Sequence, residues 1–323
     1  MFAWRGHAYG PPSSLVWEEV ADPPLGDGEV RIEVKASAVN YPDVLFVAGT
    51  YQVKPTPPFV PGFEIAGVVV ESRAPELPVG ARVGSTLGGS GGYATHAIGA
   101  LMNTYILPAS MSFEDAAAIT IVYQTGWFAL HRRAQMKRGE TLLVHAGAGG
   151  VGSAAIQLGK AAGARVLATA GGEAKVDVCR KLGADVAIDY SKEDFVAVVK
   201  EATAQRGADV IFDPVGGDVF EKSTKCIAFE GRIVVVGFTS GRFPEVRANH
   251  LLVKNYAVLG LHWGAYNLFD PAAVGEAQRT LYGMYDGGQF RPLVSERIPM
   301  REAPRAMEKI ASRGSTGKLI LVP

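Results

Sequence analysis

Short apolar runs broken by glycine and proline set the first pattern along this chain. From Thr141 onward the breaks are regular: apolar stretches at Thr141 to His145, Arg165 to Ala170, Val186 to Asp189, Ala208 to Asp213 and Gly231 to Gly237 alternate with segments of helical periodicity. Strands that are apolar on both faces belong inside a parallel sheet with helices on each side, because such a sheet shows no face to water. Ala257 to Leu261 is one more run of this kind and is placed at the edge of the sheet. Upstream the texture differs. Pro11, Pro12, Pro23, Pro24, Pro55, Pro57, Pro58 and Pro61 punctuate short strands such as Glu29 to Ala36 and Ile65 to Val70, which predicts a compact, irregular β domain. Helices start at Ser112, whose spacing from Asp115 suits a capped N-terminus, and Ala116 to Arg133 reads as one helix interrupted only by Gly126. From Pro271 the pattern holds one helix, to about Tyr285, and a terminal strand, Lys318 to Val322. That tail is too small to fold alone, so it is expected to return onto the N-terminal region and make the α/β part an insertion.

Composition narrows the picture. A chain of 323 residues exceeds the size of a single core and predicts two domains, 1–115 together with 264–323, and 116–263. Its 48% hydrophobic and 20% charged residues are those of a globular protein. With 32 basic and 32 acidic side chains there is no net field to hold nucleic acid or a membrane surface. The N-terminus lacks a signal-peptide pattern and no apolar run spans a bilayer, so a cytoplasmic protein is expected. Cys179 and Cys226 are far apart and read as small buried side chains, neither a disulfide nor a thiolate metal cluster.

The chemistry concentrates after the first strand of the α/β part. Leu142, Leu143 and Val144 run into Gly147-x-Gly149-x-x-Gly152, and then Val151, Ala154, Ala155 and Leu158 share one helical face. Strand, glycine turn and helix in that order make a dinucleotide site: unpaired N–H groups and a partial positive charge await a pyrophosphate, and glycines let it approach. An NAD site usually places an acid about 20 residues on to take the ribose 2′-hydroxyl. Here Ala168-Thr169-Ala170-Gly171-Gly172 holds none, and Lys175 follows within a turn, so NADPH is expected over NADH. Other matches fail on context. Gly88-x-Ser90-x-Gly92 lacks the strand and helix of a nucleophile elbow and reads as a loop. No tyrosine precedes a lysine by four positions, and the six histidines show no metal-ligand spacing; His145 reads as a packed side chain.

With Val39-Asn40-Tyr41-Pro42-Asp43, Gly49-Thr50-Tyr51, Pro61-Gly62-Phe63-Glu64-Ile65-Ala66-Gly67, Tyr123-Gln124-Thr125, Lys181-Leu182-Gly183-Ala184-Asp185, Asp213-Pro214-Val215-Gly216-Gly217 and Gly317-Lys318, the chain resembles the zinc-independent quinone oxidoreductase branch, zeta-crystallin type, of the medium-chain dehydrogenase/reductase superfamily nearly end to end. The resemblance implies an α/β fold in which a Rossmann doubly wound parallel sheet is inserted into a GroES-like β-rich catalytic domain. It implies an enzyme that moves hydride from NADPH to a quinone or to an alkene conjugated to a carbonyl. An enoyl-thioester reductase and a non-catalytic, crystallin-like NADPH binder are the alternatives. Zinc-dependent relatives carry Gly-His-Glu at Gly62-Phe63-Glu64 and a cysteine near Asn40, so no metal is expected. By the same resemblance Asn40, Tyr51 and Thr125 serve catalysis. Asn40, Tyr41, Thr125, Phe238, Thr239, Leu261 and Trp263 surround the nicotinamide half, Gly149, Gly150 and Val151 meet the pyrophosphate, and Gly171, Lys175, Tyr190 and Arg313 surround the ribose phosphate. Relatives commonly pair through the last strand of the cofactor sheet, which implies a homodimer joined at Ala257 to Leu261.

Overall fold

The computed structural model describes residues 1–88 and 91–323; Gly89 and Ser90 of the glycine-rich match, and with them its reading as a loop, lie outside the described residues. The chain separates into two compact units, Met1–Ile121 with Pro271–Pro323, and Val122–Asp270.

In the first unit β1 (Phe2–Arg5) and β2 (Val16–Glu19) form an antiparallel pair. β3 (Glu29–Val39) is the spine of a seven-stranded sheet. Val30, Ile32, Val34 and Ala36 are buried while Glu29, Arg31, Glu33 and Lys35 remain partly exposed, as side chains alternating across a strand require. α1 (Tyr41–Val47), β4 (Glu64–Ser72), β5 (Arg82–Thr86), β6 (His96–Ala100) and β7 (Thr104–Ile106) follow. Ser112 caps α2 (Phe113–Ala117), its Oγ accepting the Asp115 N–H at 3.1 Å.

The helix read over Ala116 to Arg133 is not continuous. α2 stops at Ala117, α3 covers Thr120–Trp127, and a π-helical turn covers Phe128–Arg133. The break leaves the Ile121 N–H in the first turn of α3, where the Glu64 carboxylate accepts it at 2.9 Å. An early helical N–H has no partner of its own, and an ionised acceptor satisfies it better than a neutral one.

The second unit alternates β8 (Thr141–Val144), α4 (Gly150–Ala161), β9 (Arg165–Ala170), α5 (Glu173–Lys181), β10 (Val186–Asp189), α6 (Phe195–Ala202), β11 (Ala208–Asp213), α7 (Gly217–Ser223), β12 (Ile227–Val235), α8 (Ala248–Lys254), β13 (Ala257–Gly260) and α9 (Tyr266–Phe269). All six strands are parallel, in the order β10-β9-β8-β11-β12-β13. Leu143, Leu167, Ile211 and Ile233 of the strands pack with Val196, Val199 and Phe220 of the helices. The winding direction reverses between β8 and β11, and in such sheets a crevice opens at the C-terminal strand ends at that point.

The chain then returns to the first unit with α10 (Pro271–Asp286), β14 (Val294–Pro299), α11 (Ala303–Ala311) and β15 (Lys318–Val322). The single-helix reading of this tail misses β14 and α11. Ala303, Ala306 and Met307 are buried at helical spacing, and Pro304 sits in the first turn, where its missing N–H costs nothing. β14 is a polar edge strand in which only Ile298 is buried, so no apolar run announces it. β15 pairs with β3 antiparallel, Leu319 opposite Val39.

The units divide at 121/122 and 270/271 rather than at 115/116 and 263/264. The Ile121 bond to Glu64 holds the first junction in its unit. Phe128 packing on Tyr266 and the Arg132–Asp270 ion pair at 2.8 Å hold the segment after Trp263 in the other. Among the described residues no helix is long and apolar enough to cross a membrane.

Candidate active site

In the second unit the glycine turn shows why each glycine stands where it does. Ala146 opens the turn with a left-handed φ of 51°. A Cβ on Gly152 would fall 2.2 Å from the Ala146 carbonyl oxygen, and one on Gly147 would fall 2.8 Å from the Cys179 sulfur. Those two are required by the fold. Gly149 is different: its backbone is extended, and a Cβ would meet only the Ala146 oxygen, at 3.3 Å. Gly149 is the N-cap of α4, offers no side-chain cap, and leaves the first-turn N–H groups at Gly150 and Val151 for an anion.

The other residues read for a dinucleotide within this unit also follow strand C-termini. Gly171 follows β9 beside the Tyr190 phenol, which a Cβ would approach to 2.6 Å. Lys175 lies in the first turn of α5, its N–H donating to the Gly172 carbonyl at 3.1 Å. The same turn carries Glu173, paired with Arg180 at 2.8 Å, and Asp189 stands opposite at the end of β10. It is buried and turned inward, Oδ1 accepting from the Ser191 hydroxyl at 2.6 Å and the Gly172 N–H at 3.0 Å. Those bonds, the hydroxyl's first, hold its carboxyl below the usual range.

Phe238 and Thr239 follow β12, where the Thr239 hydroxyl donates to the Pro214 carbonyl beyond β11. Leu261 and Trp263 follow β13, and the Trp263 indole N–H donates to Gln124 Oε1 at 3.1 Å. That bond ties the segment to α3, where Thr125 is buried. His145 is a packed residue. Ser223 donates to the Val219 carbonyl at 2.7 Å and so accepts from His145 Nε2–H at 2.8 Å, which leaves Nδ1 to accept from Thr169 at 2.9 Å. Burial pushes its pKa down to about 3. Cys179 and Cys226 are buried thiols pushed up to about 12 by burial.

In the first unit Asn40 is the N-cap of α1, and its backbone N–H donates to Asp43 Oδ2 at 2.7 Å. Its carboxamide is held at both ends. Lys318 Nζ donates to Oδ1 at 2.5 Å, and Nδ2 donates to Glu64 Oε1 at 3.0 Å. Lys318 and Glu64 form an ion pair at 2.8 Å with side chains 3% and 1% exposed. Asp43 is fully buried, and that burial raises its pKa to about 7. Tyr41 opens α1 and is partly exposed. Tyr51 is half-buried beyond the C-terminus of α1. Its ring packs edge-on against Phe63 at 5.7 Å. Burial, then the Asp43 charge, raises the Tyr51 pKa, so the phenol stays a donor at neutral pH. Arg313 is exposed just past α11, with a left-handed φ of 59°.

These residues do not suit zinc. Phe63 sits in an aromatic cluster, 5.3 Å from Phe46, and the neighbouring cation is the Lys318 ammonium, which repels a metal ion. Among the described residues no group of three or more His, Cys, Asp or Glu could hold one. Sequence reasoning missed Glu64, Lys318 and Asp43 as functional neighbours of Asn40, although each stands in a motif quoted above. A charged residue entering an apolar strand, as in Lys318-Leu319-Ile320-Leu321-Val322, was the available signal.

Two family models match the chain: an alcohol dehydrogenase GroES-like domain over residues 26–113 and a zinc-binding dehydrogenase over residues 150–278. A quinone oxidoreductase-like protein 2 homolog of Nematostella vectensis is 40% identical over 92% of this chain and 82% of its own length. A 2-haloacrylate reductase of Burkholderia is 31% identical over 98% of this chain and 97% of its own. The crystal structure of Escherichia coli quinone oxidoreductase complexed with NADPH superposes with a TM-score of 0.91 at 30% identity, covering 100% of both chains.

Proposed function

The chain belongs to the zinc-independent quinone oxidoreductase branch of the medium-chain dehydrogenase/reductases, and we propose that it reduces quinones or alkenes conjugated to a carbonyl, with NADPH as donor. The observation that carries this reading is the Asn40 carboxamide. Its oxygen accepts from the Lys318 ammonium and one Nδ2 hydrogen goes to Glu64, which fixes the amide and leaves its second Nδ2 hydrogen to offer a substrate. A fixed N–H suits an oxygen that gains negative charge.

Bound NADPH supplies the hydride. Gly149, Gly150 and Val151 would hold its pyrophosphate at the α4 N-terminus. Lys175, with Gly171, Tyr190 and Arg313, would receive the 2′-phosphate, and the nearby Glu173 and Asp189 carboxylates are engaged by Arg180 and by Ser191 and Gly172. Thr125, Phe238, Thr239, Leu261 and Trp263 would line the nicotinamide half together with Asn40 and Tyr41. Asn40 or Tyr51 would donate to the acceptor's carbonyl oxygen while charge builds there, and Tyr51 or solvent would return the proton. With no buried acid–base pair in these roles, positioning and this hydrogen bond would supply most of the rate. We place the enzyme in the cytoplasm as a homodimer joined along β13, the last strand of its sheet. A monomeric mass by sedimentation at micromolar concentration contradicts the dimer.

The test is NADPH consumption with benzoquinone, cyclohexenone and crotonyl-CoA as acceptors. Turnover with the first two supports the reading. Turnover with the thioester alone makes the enzyme an enoyl reductase, and none with any acceptor makes the protein a binder without turnover.

A further inference from the structure

Lys318 opens β15, Glu64 opens β4 and Asn40 directly follows β3, three neighbouring strands of the sheet. Because Leu319 faces Val39 in the antiparallel ladder, the next rung sets Lys318 opposite Asn40. The entry to that rung is fixed. Gly317 has φ 50° and a Cβ there would fall 2.2 Å from the Leu293 carbonyl oxygen, which accepts the Lys318 N–H at 2.8 Å. The ammonium therefore arrives buried, between Asn40 Oδ1 and Glu64 Oε1. Glu64 Oε2 is turned to the Ile121 N–H, so this carboxylate faces its partners on both sides.

Two consequences follow for the amide. Its orientation is locked, because the flipped form would set an NH2 group against an ammonium and an oxygen against a carboxylate. It is also polarised: the ammonium 2.5 Å from the oxygen draws electron density from the nitrogen, the Glu64 carboxylate 3.0 Å from Nδ2 returns part of it, and the shorter contact leaves the remaining Nδ2–H the stronger donor.

We propose that Lys318 is a positioning residue that delivers, through the Asn40 carboxamide, a buried positive charge to the carbonyl oxygen of the substrate. The inference rests on Asn40 being the donor proposed above. In an enone, hydride forms the new C–H bond at the β-carbon, the alkene pair becomes a C=C bond to the carbonyl carbon, and the C=O π pair settles on oxygen as an enolate. The polarised N–H holds that oxyanion until the α-carbon takes a proton. Lys318 transfers nothing.

A double-mutant cycle on cyclohexenone reduction by the full chain separates the two claims. In the presence of Asn40, K318M lowers kcat about tenfold with little change in KM, a fraction of the 10² to 10³ that removing such a donor outright typically costs. In N40A the same substitution has no further effect, and K318R recovers part of the loss. The carbonyl stretch of bound cyclohexenone moves back toward its solution frequency in K318M as it does in N40A. E64Q/K318M removes both buried charges together, so it keeps the fold and still shows the kcat loss. Wild-type kcat in E64Q/K318M, or an undiminished K318M loss in the N40A background, overturns the relay. Wild-type kcat in N40A instead overturns the role of Asn40 itself.

Discussion

Gly152 and Gly149 are three residues apart in one turn, yet replacing each with alanine should fail in a different way. At Gly152 the new methyl would lie 2.2 Å from the Ala146 oxygen, 2.8 Å from its carbonyl carbon and 2.8 Å from Gly147 Cα, all of them backbone atoms that cannot rotate away. Relieving an overlap of that size moves the turn against α4, and overpacking of this kind costs about 1 to 3 kcal/mol. For a domain of about 150 residues that is roughly 2 to 12 °C in melting temperature. At Gly149 the nearest atom is the Ala146 oxygen, 3.3 Å away, which needs to give by only a few tenths of an ångström, and φ is −82°, so alanine costs about 1 kcal/mol or less as a poorer N-cap. Its methyl would instead occupy the face left open at the helix N-terminus. Melting without cofactor and fluorescence titration with NADPH separate the two effects. G152A should melt early and bind weakly, whereas G149A should melt within a few degrees of wild type and still lose NADPH affinity. A G149A protein with wild-type affinity, or a G152A protein with wild-type melting, would refute this division of labour.

Other consequences are open to direct measurement. Lys175→Ala should weaken NADPH by about 1.5 to 3 kcal/mol, the worth of a charge-assisted hydrogen bond, and leave NADH binding nearly unchanged; equal losses for both cofactors remove Lys175 from the 2′-phosphate site. Tyr51→Phe should lower turnover on cyclohexenone by about 10² to 10³ with NADPH affinity intact, and equal turnover takes the phenol out of the chemistry. His145 sets an acid limit on stability. Its folded pKa of about 3 lies below the ordinary 6.5, so below pH 6.5 the unfolded chain binds a proton that the folded chain refuses. Stability then falls with pH by up to about 1.4 kcal/mol per unit. Between pH 7 and 5, the unfolding free energy of wild type from urea melts should drop further than that of His145→Gln by about 2 kcal/mol, and parallel curves would show that the imidazole does not resist protonation.

The legible parts of this molecule are those whose cause is local. Alternation along Glu29 to Ala36 marks β3 because one face is buried, and Leu142 to Val144 followed by spaced glycines marks the turn because the same few residues build it. The illegible parts answer to distant partners. The break between α2 and α3 depends on Glu64, 57 residues before Ile121 in the chain. Lys318 and Asn40 are 278 positions apart, and only the β15–β3 register brings them together. α11 was hidden by Pro304, a residue that breaks a helix in its interior and begins one in its first turn. At the candidate site, motifs supplied Asn40, the proposed donor, but not the two side chains that hold its carboxamide.

The central claim, direct hydride delivery from NADPH to a carbonyl-conjugated acceptor without a metal, is met most directly by single turnover with NADPH deuterated at the transferred position, after exhaustive dialysis against a chelator. Deuterium at the β-carbon of cyclohexanone, formed as fast as by undialysed enzyme with the same deuterated cofactor, is the predicted result. Deuterium lost to solvent, or a reaction abolished by the chelator and restored by zinc, would contradict it.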